Sequence, residues 1–362
     1  MKRRRSLVKR ILLGLLIVVV LVAGAAAGFG MYALNRIREP YKGFSEPERF
    51  VDIPAGSGAA EIRRRLIDAG VVSDEWAFRA ALQWTGQARA LKAGEYRFDR
   101  PMSVVEVIDK IARGDIYTHP ITFPEGLTIR EMAAIYEQSG FGTAAEFNEA
   151  ARNASLINDL DPAASDLEGY LFPETYTLPR GTPVATLVAQ MVDRFRASYM
   201  ELEGKASNGL NLSLRQLVTL ASLVEKETGK AEERPVVAAV YRNRLTRNML
   251  MQADPTVVYA LVKAGTYDGN IRRADLAIDS PYNTYKYPGL PPGPIASPGR
   301  AAIEASLAPA DVPYLYFVSR NDGSHVFAET LAQHNANVQE HQVQYFRRQR
   351  LERQRQRTNS TQ

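Results

Sequence analysis

A run of 24 uncharged residues, numbers 11 to 34, follows six basic side chains near the start of the chain. A helix needs roughly 20 apolar residues to cross the hydrocarbon core of a bilayer, so this run is long enough to span one. The positive flank places the N-terminus in the cytoplasm and the body outside. The sequence therefore predicts a single transmembrane helix over 11–34 in the cell inner (cytoplasmic) membrane, with residues 1–10 as a cytoplasmic basic segment.

Two other interpretations of this apolar run are weaker. The small residues at 25–27 would suit the cleavage site of a signal peptide. A buried core helix is disfavoured by the basic cluster directly before the run. The anchor is favoured because the apolar pattern continues through Phe29, Met31 and Leu34.

Charge is unevenly distributed along the chain. Of 45 basic residues, six lie within 1–10 and six within 344–362, and these two ends hold only one of the 40 acidic residues. The remainder carries 33 basic and 39 acidic side chains, so the body is acidic and no nucleic-acid partner is expected. The basic tail at 344–362 is expected to be disordered. The absence of cysteine excludes disulfides and thiol nucleophiles.

The residues after the apolar run predict a linker and then a small α/β module. Residues 35–49 are polar with proline and glycine, as a linker would be. Within 50–116, alternating and amphipathic patterns predict strands at 50–54 and 92–98 and helices at 60–69, from Ser73 to Trp84 and from Ser103 to Gly114. This module is extracytoplasmic if the anchor is correct.

Residues 117–343 predict a larger α+β domain. Thr128 with Glu131 forms a capping-box pattern. The expected helices cover 183–200, 213–228, 231–246 and the region from Thr330 onward, and a strand covers 314–318. Residues 277–300 are too rich in proline and glycine to be regular. The overall class predicted is α+β.

The helix at 213–228 carries the strongest functional signal. It is apolar around most of its circumference, yet Glu225 and Glu227 stand at its C-terminal end, where the helix dipole disfavours negative charge. A carboxylate that is costly to bury is a candidate for acid–base chemistry. Two residues two apart lie about 160° from each other around a helix, so they cannot share one pocket. The pattern does not choose between them.

An alternative is that both carboxylates pair with nearby cations at the helix end. The candidates are Lys226, Lys230 and Arg234. Polar residues clustered downstream weaken this alternative. Their amide, carboxylate and phenol groups suit sugar hydroxyls and acetamides, although capping, turn formation and core packing would also explain them. The candidate substrate-binding residues are Glu174, Tyr176, Glu225, Asn243, Gln252, Asp254, Tyr282, Asn283 and Tyr285.

The four histidines do not suggest a metal site. His119, His325, His334 and His341 lack the spacing of zinc ligands, such as two on one helical turn with a nearby acid. Neither a metal nor another cofactor is expected.

Several short motifs follow one another in a fixed order along the chain. They include Leu-Val-Glu-Lys-Glu-Thr ending the 213–228 helix, Tyr-Leu-Phe-Pro-Glu-Thr-Tyr before it and Gly-Leu-Pro-Pro-Gly after it. Together with the anchor, the full set covers 53–57, 91–96, 169–176, 220–228, 240–245, 252–257, 282–285 and 289–293. In this combination they resemble the YceG-like endolytic murein transglycosylases, and because so many motifs recur together from the anchor to about residue 340, the resemblance is specific.

The resemblance implies a LysM-like module at 50–116, a catalytic domain at 117–343 and Glu227 as the catalytic acid–base. Glu227 would protonate the glycosidic oxygen leaving MurNAc and then accept the proton of the MurNAc C6 hydroxyl, which closes a 1,6-anhydro ring. The implied partners are peptidoglycan glycan strands and peptidoglycan synthases in the membrane. Cleavage of nascent strands between MurNAc and GlcNAc would terminate their elongation. Glu225 would be a supporting residue that orients Arg242 or Tyr241.

Two alternatives belong to other classes of protein. A muramidase-type hydrolase would need a second catalytic carboxylate, for which Glu174 and Asp254 are the candidates. A non-enzymatic peptidoglycan-binding scaffold would not need Glu227. The product ends, anhydro or reducing, distinguish the two enzymes.

Overall fold

The protein, a computed structural model, is described over residues 2–204 and 212–359 and forms two compact units. The first comprises the chain up to His119 together with Thr177–Arg180. The second comprises Pro120–Tyr176 and the chain from Gly181 onward. Helices predominate and are combined with three two-stranded sheets among the described residues, which confirms a mixed helix and sheet fold.

A single long helix, α1, opens the first unit and runs over Lys2–Arg38. Its segment Leu12–Arg38 contains an 18-residue stretch with a mean hydropathy of 2.7 and is long and apolar enough to cross a membrane, as no other described helix is. The helix extends beyond the apolar run at both ends. Ile37, near its end, is buried in the core of the first unit, and so is Phe44 in the segment predicted to be a linker.

The rest of the first unit packs three helices against one antiparallel strand pair. Strand β1 (Arg49–Ile53) pairs with β2 (Gly94–Phe98), with Val51 opposite Tyr96. The helices are α2 (Ala59–Asp68), α3 (Glu75–Thr85) and α4 (Val104–Arg113). Their apolar faces join the two strands in one core.

The caps of these helices follow the sequence with one exception. Ser103 and Glu106 form a capping box at the start of α4, and Gly114 ends that helix in the left-handed conformation. The prediction that Ser73 caps α3 is wrong. Asp74 takes this position, since its carboxylate accepts from the backbone N–H of Ala77 at 2.8 Å.

The second unit is largely helical. The boundary between the units passes through the pair of strands β3 (Thr118–Thr122) and β4 (Thr175–Pro179). A second hairpin pairs β5 (Tyr316–Ser319) with β6 (His325–Ala328). The helices are α5 (Ile129–Gln138), α6 (Ala144–Ala151), α7 (Val184–Glu203), α8 (Leu214–Glu227), α9 (Arg234–Thr246), α10 (Asp254–Ala264), α11 (Arg300–Leu307), α12 (Leu331–Val338) and α13 (Tyr345–Asn359).

Helix α8 is the central core helix of the second unit. Ser213 caps it in a capping box with Gln216, as the sequence predicts. Every residue from Leu217 to Val224 is buried, and the charged side chains of the helix lie only towards its two ends. Burial of these side chains holds the C-terminal end of α8 in a fixed position.

The proline-rich segment before α11 is irregular but tied to the core. Apart from a short 3₁₀ turn ending at Ala277, it has no helix or strand before Arg300, and all of it is described. The backbone N–H of Ile295 donates to Ser222 Oγ on α8 at 3.1 Å. The N–H of Ser297 donates to the carbonyl of Leu127 at 2.7 Å. Side-chain and backbone hydrogen bonds thus replace a regular ladder.

The basic tail, expected to be disordered, is helical over its described part. A π-helical turn at Gln339–Gln344 joins α12 to α13, which runs to Asn359. Its composition of arginine and glutamine explains this, because both are good helix formers.

Candidate active site

Glu227 and Tyr241 meet where two core helices of the second unit lie side by side. Glu227 is the last residue of α8, and Tyr241 lies on α9. The Tyr241 hydroxyl donates to Glu227 Oε1 at 2.6 Å. The Tyr241 ring is fully buried and packs edge-on against Phe317 of β5. A rigid aromatic ring therefore fixes the position of one carboxylate oxygen.

The surroundings of Glu227 hold its carboxyl in a state that can exchange a proton. Burial raises its pKa to about 7, and the charge of Asp254 acts in the same direction. The Tyr241 hydrogen bond and the charges of His325 and Arg244 oppose that shift. A carboxyl with a pKa near neutrality can donate a proton in one step and accept one in the next.

Glu233 links the turn between α8 and α9 to the β5–β6 hairpin by hydrogen bonds. Glu233 Oε2 accepts from the hydroxyl of Thr228 at 3.0 Å and lies 2.7 Å from His325 Nδ1. The backbone N–H of His325 donates to Glu233 Oε1 at 2.8 Å. Because Thr228 directly follows Glu227, this network fixes the C-terminal end of α8. Sequence reasoning considered His325 only as a metal ligand and missed this contact.

Arg244 is a second residue of the site that the sequence did not single out. It is buried on α9 and donates from Nη1 to the carbonyl of Met251 at 2.6 Å and from Nε to that of Leu315. Its position in the Tyr-Arg-Asn-Arg motif was the available signal. The buried guanidinium joins two loops and brings a positive charge close enough to affect Glu227.

Glu225 lies in a separate environment from Glu227. Its Oε2 accepts from the backbone N–H of Gly299 at 3.0 Å, and its Oε1 lies 3.4 Å from an Arg234 Nη. The expectation that Glu225 orients Arg242 or Tyr241 is therefore wrong. The alternative pairing with Arg234 is present for Glu225, while Glu227 pairs with a tyrosine.

Asp254 opens α10 close to Glu227 and is exposed. Its Oδ1 accepts from the hydroxyl of Tyr285 at 2.5 Å. Gln252, two residues earlier, is exposed and has a left-handed backbone conformation with a φ of 51°. Its backbone N–H donates to the carbonyl of Thr284 at 3.1 Å. The 252–254 and 282–285 motifs therefore lie together, close to Glu227.

A cavity of about 610 Å³ lies next to this pair of motifs, within the range of small-ligand sites. It is lined by the start of α5, by Lys226, by Asp254 and by one face of α10 that includes Tyr259. Behind Tyr259 the carboxyl of Glu168 accepts from the N–H of Ile129 at 3.0 Å, and burial raises its pKa to about 8. Sequence reasoning did not find Glu168 or this cavity.

Three predicted binding residues contact other parts of the protein, two of them through their side-chain amides. The amide of Asn283 is fully buried and donates to the carbonyls of Leu276 and Ile278 at 3.0 and 2.8 Å. Asn243 donates to two carbonyls of the loop before β5, at 2.8 and 2.9 Å. The Tyr282 ring lies 4.8 Å from that of Tyr259. The first two shape the loops around the site, and Tyr282 packs against its lining.

Glu174 and Tyr176 have partners elsewhere in the second unit. Glu174 forms an ion pair with Arg194 at 2.7 Å. Tyr176 is buried, donates to the carbonyl of Phe172 at 2.7 Å and packs near Phe123. Neither contact involves Glu227 or Tyr241.

Comparisons with known proteins give one consistent result. The model of the YceG-like family matches residues 51–340. The chain is 34% identical over 331 residues to the endolytic murein transglycosylase of Bacillus subtilis (strain 168), covering 87% of this chain and 89% of that protein. It is 32% identical over 363 residues to the endolytic murein transglycosylase of Streptococcus pneumoniae (strain R6), covering 90% of this chain and 64% of that protein.

A solved structure agrees with the sequence comparisons. A YceG-like protein from Listeria monocytogenes superposes with a TM-score of 0.55 at 31% identity, covering 81% of this chain and 99% of that one. The family resemblance carried by the motifs is confirmed.

Proposed function

This chain belongs to the YceG-like family, and on that premise we propose that it is an endolytic murein transglycosylase with Glu227 as its single acid–base. The observation that carries the proposal is the Glu227 carboxyl itself. Its pKa is raised to about 7 by burial, and Tyr241 holds one of its oxygens at 2.6 Å. One carboxyl in this state suits a reaction that needs an acid first and a base second.

The proposed reaction is balanced without a water molecule. Protonated Glu227 gives its proton to the glycosidic oxygen as the bond between MurNAc C1 and that oxygen breaks. The same carboxylate then takes the proton of the MurNAc C6 hydroxyl, whose oxygen bonds to C1. The products are a free GlcNAc hydroxyl end and a 1,6-anhydro-MurNAc end, and Glu227 is protonated again.

The binding roles divide by exposure. Asp254 lines the cavity, Gln252 is exposed two residues before it, and both are proposed to contact the sugar. Tyr285 is proposed to orient Asp254 through their 2.5 Å hydrogen bond. The remaining predicted residues are proposed to act indirectly, because the Tyr282 ring packs against Tyr259 and the polar groups of the others have protein partners. These are Glu174, Tyr176, Glu225, Asn243, Tyr282 and Asn283.

Location and partners follow from α1 and from the family. We propose that α1 is a single-pass anchor with its N-terminus in the cytoplasm and the chain after it outside the membrane. Residues 50–116 are proposed to be a LysM-like module, and residues 117–343 are proposed to carry catalysis on glycan strands. A membrane enzyme that terminates nascent strands would work beside peptidoglycan synthases.

The product ends test the proposal. Full-length protein in detergent micelles is incubated with uncrosslinked glycan strands, and the fragments are analysed by mass spectrometry. Wild type is expected to leave anhydro-MurNAc ends, each lighter by one water than a reducing end. Glu227→Gln keeps the size of the side chain and an acceptor for Tyr241, so it is the matched inactive variant.

The same experiment separates the alternatives. Reducing ends would make the protein a hydrolase, for which Asp254 is the candidate second carboxylate because its charge reaches Glu227. Full activity of Glu227→Gln would remove Glu227 from catalysis. Binding of strands without cleavage by wild type would favour a scaffold.

A further inference from the structure

The two tryptophans of the chain, Trp76 and Trp84, lie on the exposed side of α3, its outward face, about 80° apart around the helix. They are 41% and 58% exposed, although tryptophan is among the costliest side chains to leave in water. The side of α3 away from Trp76 carries the buried Ala77, Phe78 and Ala81. The helix is thus amphipathic, with aromatic rings on the side that the fold leaves uncovered.

Trp76 adjoins the part of α1 that would leave the bilayer. Its ring centroid lies 6.2 Å from that of Phe29 and 6.3 Å from that of Tyr32. Ile11 and Phe29 are 18 residues apart, a rise of about 27 Å in a helix, which is close to the roughly 30 Å of a hydrocarbon core. Phe29 and Tyr32 therefore fall at the outer boundary of that core, where aromatic side chains concentrate.

The rest of the first unit contacts α1 from Phe29 onward and not before it. Residues 12–29 of α1 are all exposed, and partial burial begins at Gly30. Helix α3 therefore does not descend along α1 into the hydrocarbon. From Trp76 towards its C-terminus, α3 runs along the surface of the bilayer or away from it.

The start of α3 is tied to α1 by a polar contact and by the core. Arg36 of α1 lies 3.2 Å from the Asp74 carboxylate, and Asp74 caps α3. Ile37 is buried in the core of the first unit. Because α1 is continuous with this core, a bilayer that holds α1 also sets the height of α3.

The outward face also has the polar chemistry of an interface. Arg79 and Gln83 lie between the two tryptophans along α3, and both are exposed. Arginine can reach lipid phosphates while its stem stays on apolar surface, and tryptophan places its ring among the headgroups. Trp84 is about 12 Å along the helix from Trp76, so both rings reach one interface only if α3 lies nearly flat on it.

We propose that the outward face of α3 rests in the headgroup region of the outer leaflet, with Trp76 and Trp84 as its anchors. The occupant of this face is the lipid surface into which α1 is inserted. The inference rests on the proposed role of α1 as a membrane anchor. It gives the first unit a fixed height and tilt at the membrane.

Intrinsic fluorescence tests the proposal directly, because no other tryptophan contributes. Full-length Trp76→Phe and Trp84→Phe each leave one reporter and are reconstituted into phosphatidylcholine and phosphatidylglycerol vesicles. Both reporters are expected to emit at shorter wavelength than in an aqueous peptide and to be quenched by lipids brominated near the headgroup. Quenching by aqueous iodide is expected to fall severalfold. Trp84 is decisive, since Trp76 lies beside α1 in any case.

Two controls distinguish a failure of the α1 anchor from a failure of the α3 contact with the membrane. Flotation with the vesicles reports the anchor, and Phe29→Trp in a Trp76→Phe/Trp84→Phe background reports insertion by quenching from brominated lipid. Failure to float would contradict the anchor itself. If the protein floats while Trp84 stays open to iodide, the face is not on the membrane and the proposal is wrong. A change in Trp84 emission on adding glycan strands, without lipid quenching, would assign the face to sugar and equally overturn it.

Discussion

Tyr241 holds the Glu227 carboxylate by a 2.6 Å hydrogen bond from a ring that is itself fully buried. The bond favours the ionised carboxylate, whereas burial favours the protonated one. The two effects oppose each other at one atom. Their balance leaves the pKa of Glu227 near 7 rather than higher, which is where an acid that must also serve as base is most useful.

Tyr241→Phe is expected to raise the pKa of Glu227, because the variant loses the donor that stabilises the charge. The alkaline limb of the rate profile should move to higher pH. A hydrogen bond to a charged group contributes about 1.5–3 kcal/mol, so a loss of roughly ten- to hundredfold in kcat is expected when positioning is lost with it. The measurement is kcat/KM for strand cleavage as a function of pH.

Tyr176→Phe is the matched control for that experiment. It also removes a buried hydroxyl with a 2.7 Å hydrogen bond, but that bond ends on the carbonyl of Phe172. Its stability is expected to fall while its pH profile stays that of wild type. An unshifted profile for Tyr241→Phe would show that the tyrosine does not govern the proton of Glu227.

Asp254→Asn is expected to move the profile in the opposite direction. The charge of Asp254 raises the pKa of Glu227, so its removal lowers that pKa and the alkaline limb moves to lower pH. Asparagine keeps the oxygen that accepts from Tyr285. The products should remain anhydro ends, as mass spectrometry will show. Loss of all cleavage with a preserved fold would instead suggest that Asp254 is the second carboxylate of a hydrolase.

Glu227→Gln is expected to stabilise the protein at alkaline pH. The folded-state pKa of about 7 lies above the ordinary 4.5, so the folded state binds the proton more tightly and wild-type stability declines as pH rises between these values. This difference corresponds to about 3 kcal/mol at most. The melting temperature of the variant relative to wild type should therefore increase from pH 5 to pH 8. A constant difference would contradict the raised pKa.

The sequence predicted the elements that carry the site better than the contacts made there. Ser213, the apolar run after it and the terminal Glu227 follow from helix periodicity and capping, which are local. The contact between Glu227 and Tyr241 joins two helices, and no local pattern specifies which side chains meet across them. Likewise the amide of Asn283 could have faced a sugar or a carbonyl. Only the path of the 277–300 segment decides that it faces Leu276 and Ile278.

Glu225→Gln is expected to retain measurable activity. Its partners are the N–H of Gly299 and Arg234, and glutamine can still accept from Gly299. The variant loses the charge that faces Arg234, so a lower melting temperature is expected together with a modest decrease in kcat. Complete loss of cleavage in a folded variant would make Glu225 a catalytic residue and overturn the assignment to Glu227 alone.

Asn283→Ala and Gln252→Ala should separate loop support from sugar binding. Asn283 is fully buried, and its loss leaves the carbonyls of Leu276 and Ile278 without their donor. Unsatisfied buried groups cost about 1–3 kcal/mol each, so a clear decrease in melting temperature is expected. Gln252 is exposed two residues before Asp254, which lines the cavity, so its variant should melt like wild type and show a raised KM for glycan strands. Steady-state kinetics and thermal unfolding of both variants give the comparison. If Asn283→Ala is as stable as wild type but has a raised KM, the hydrogen bonds of this amide contribute nothing to the fold. Asn283 would then be assigned to substrate binding.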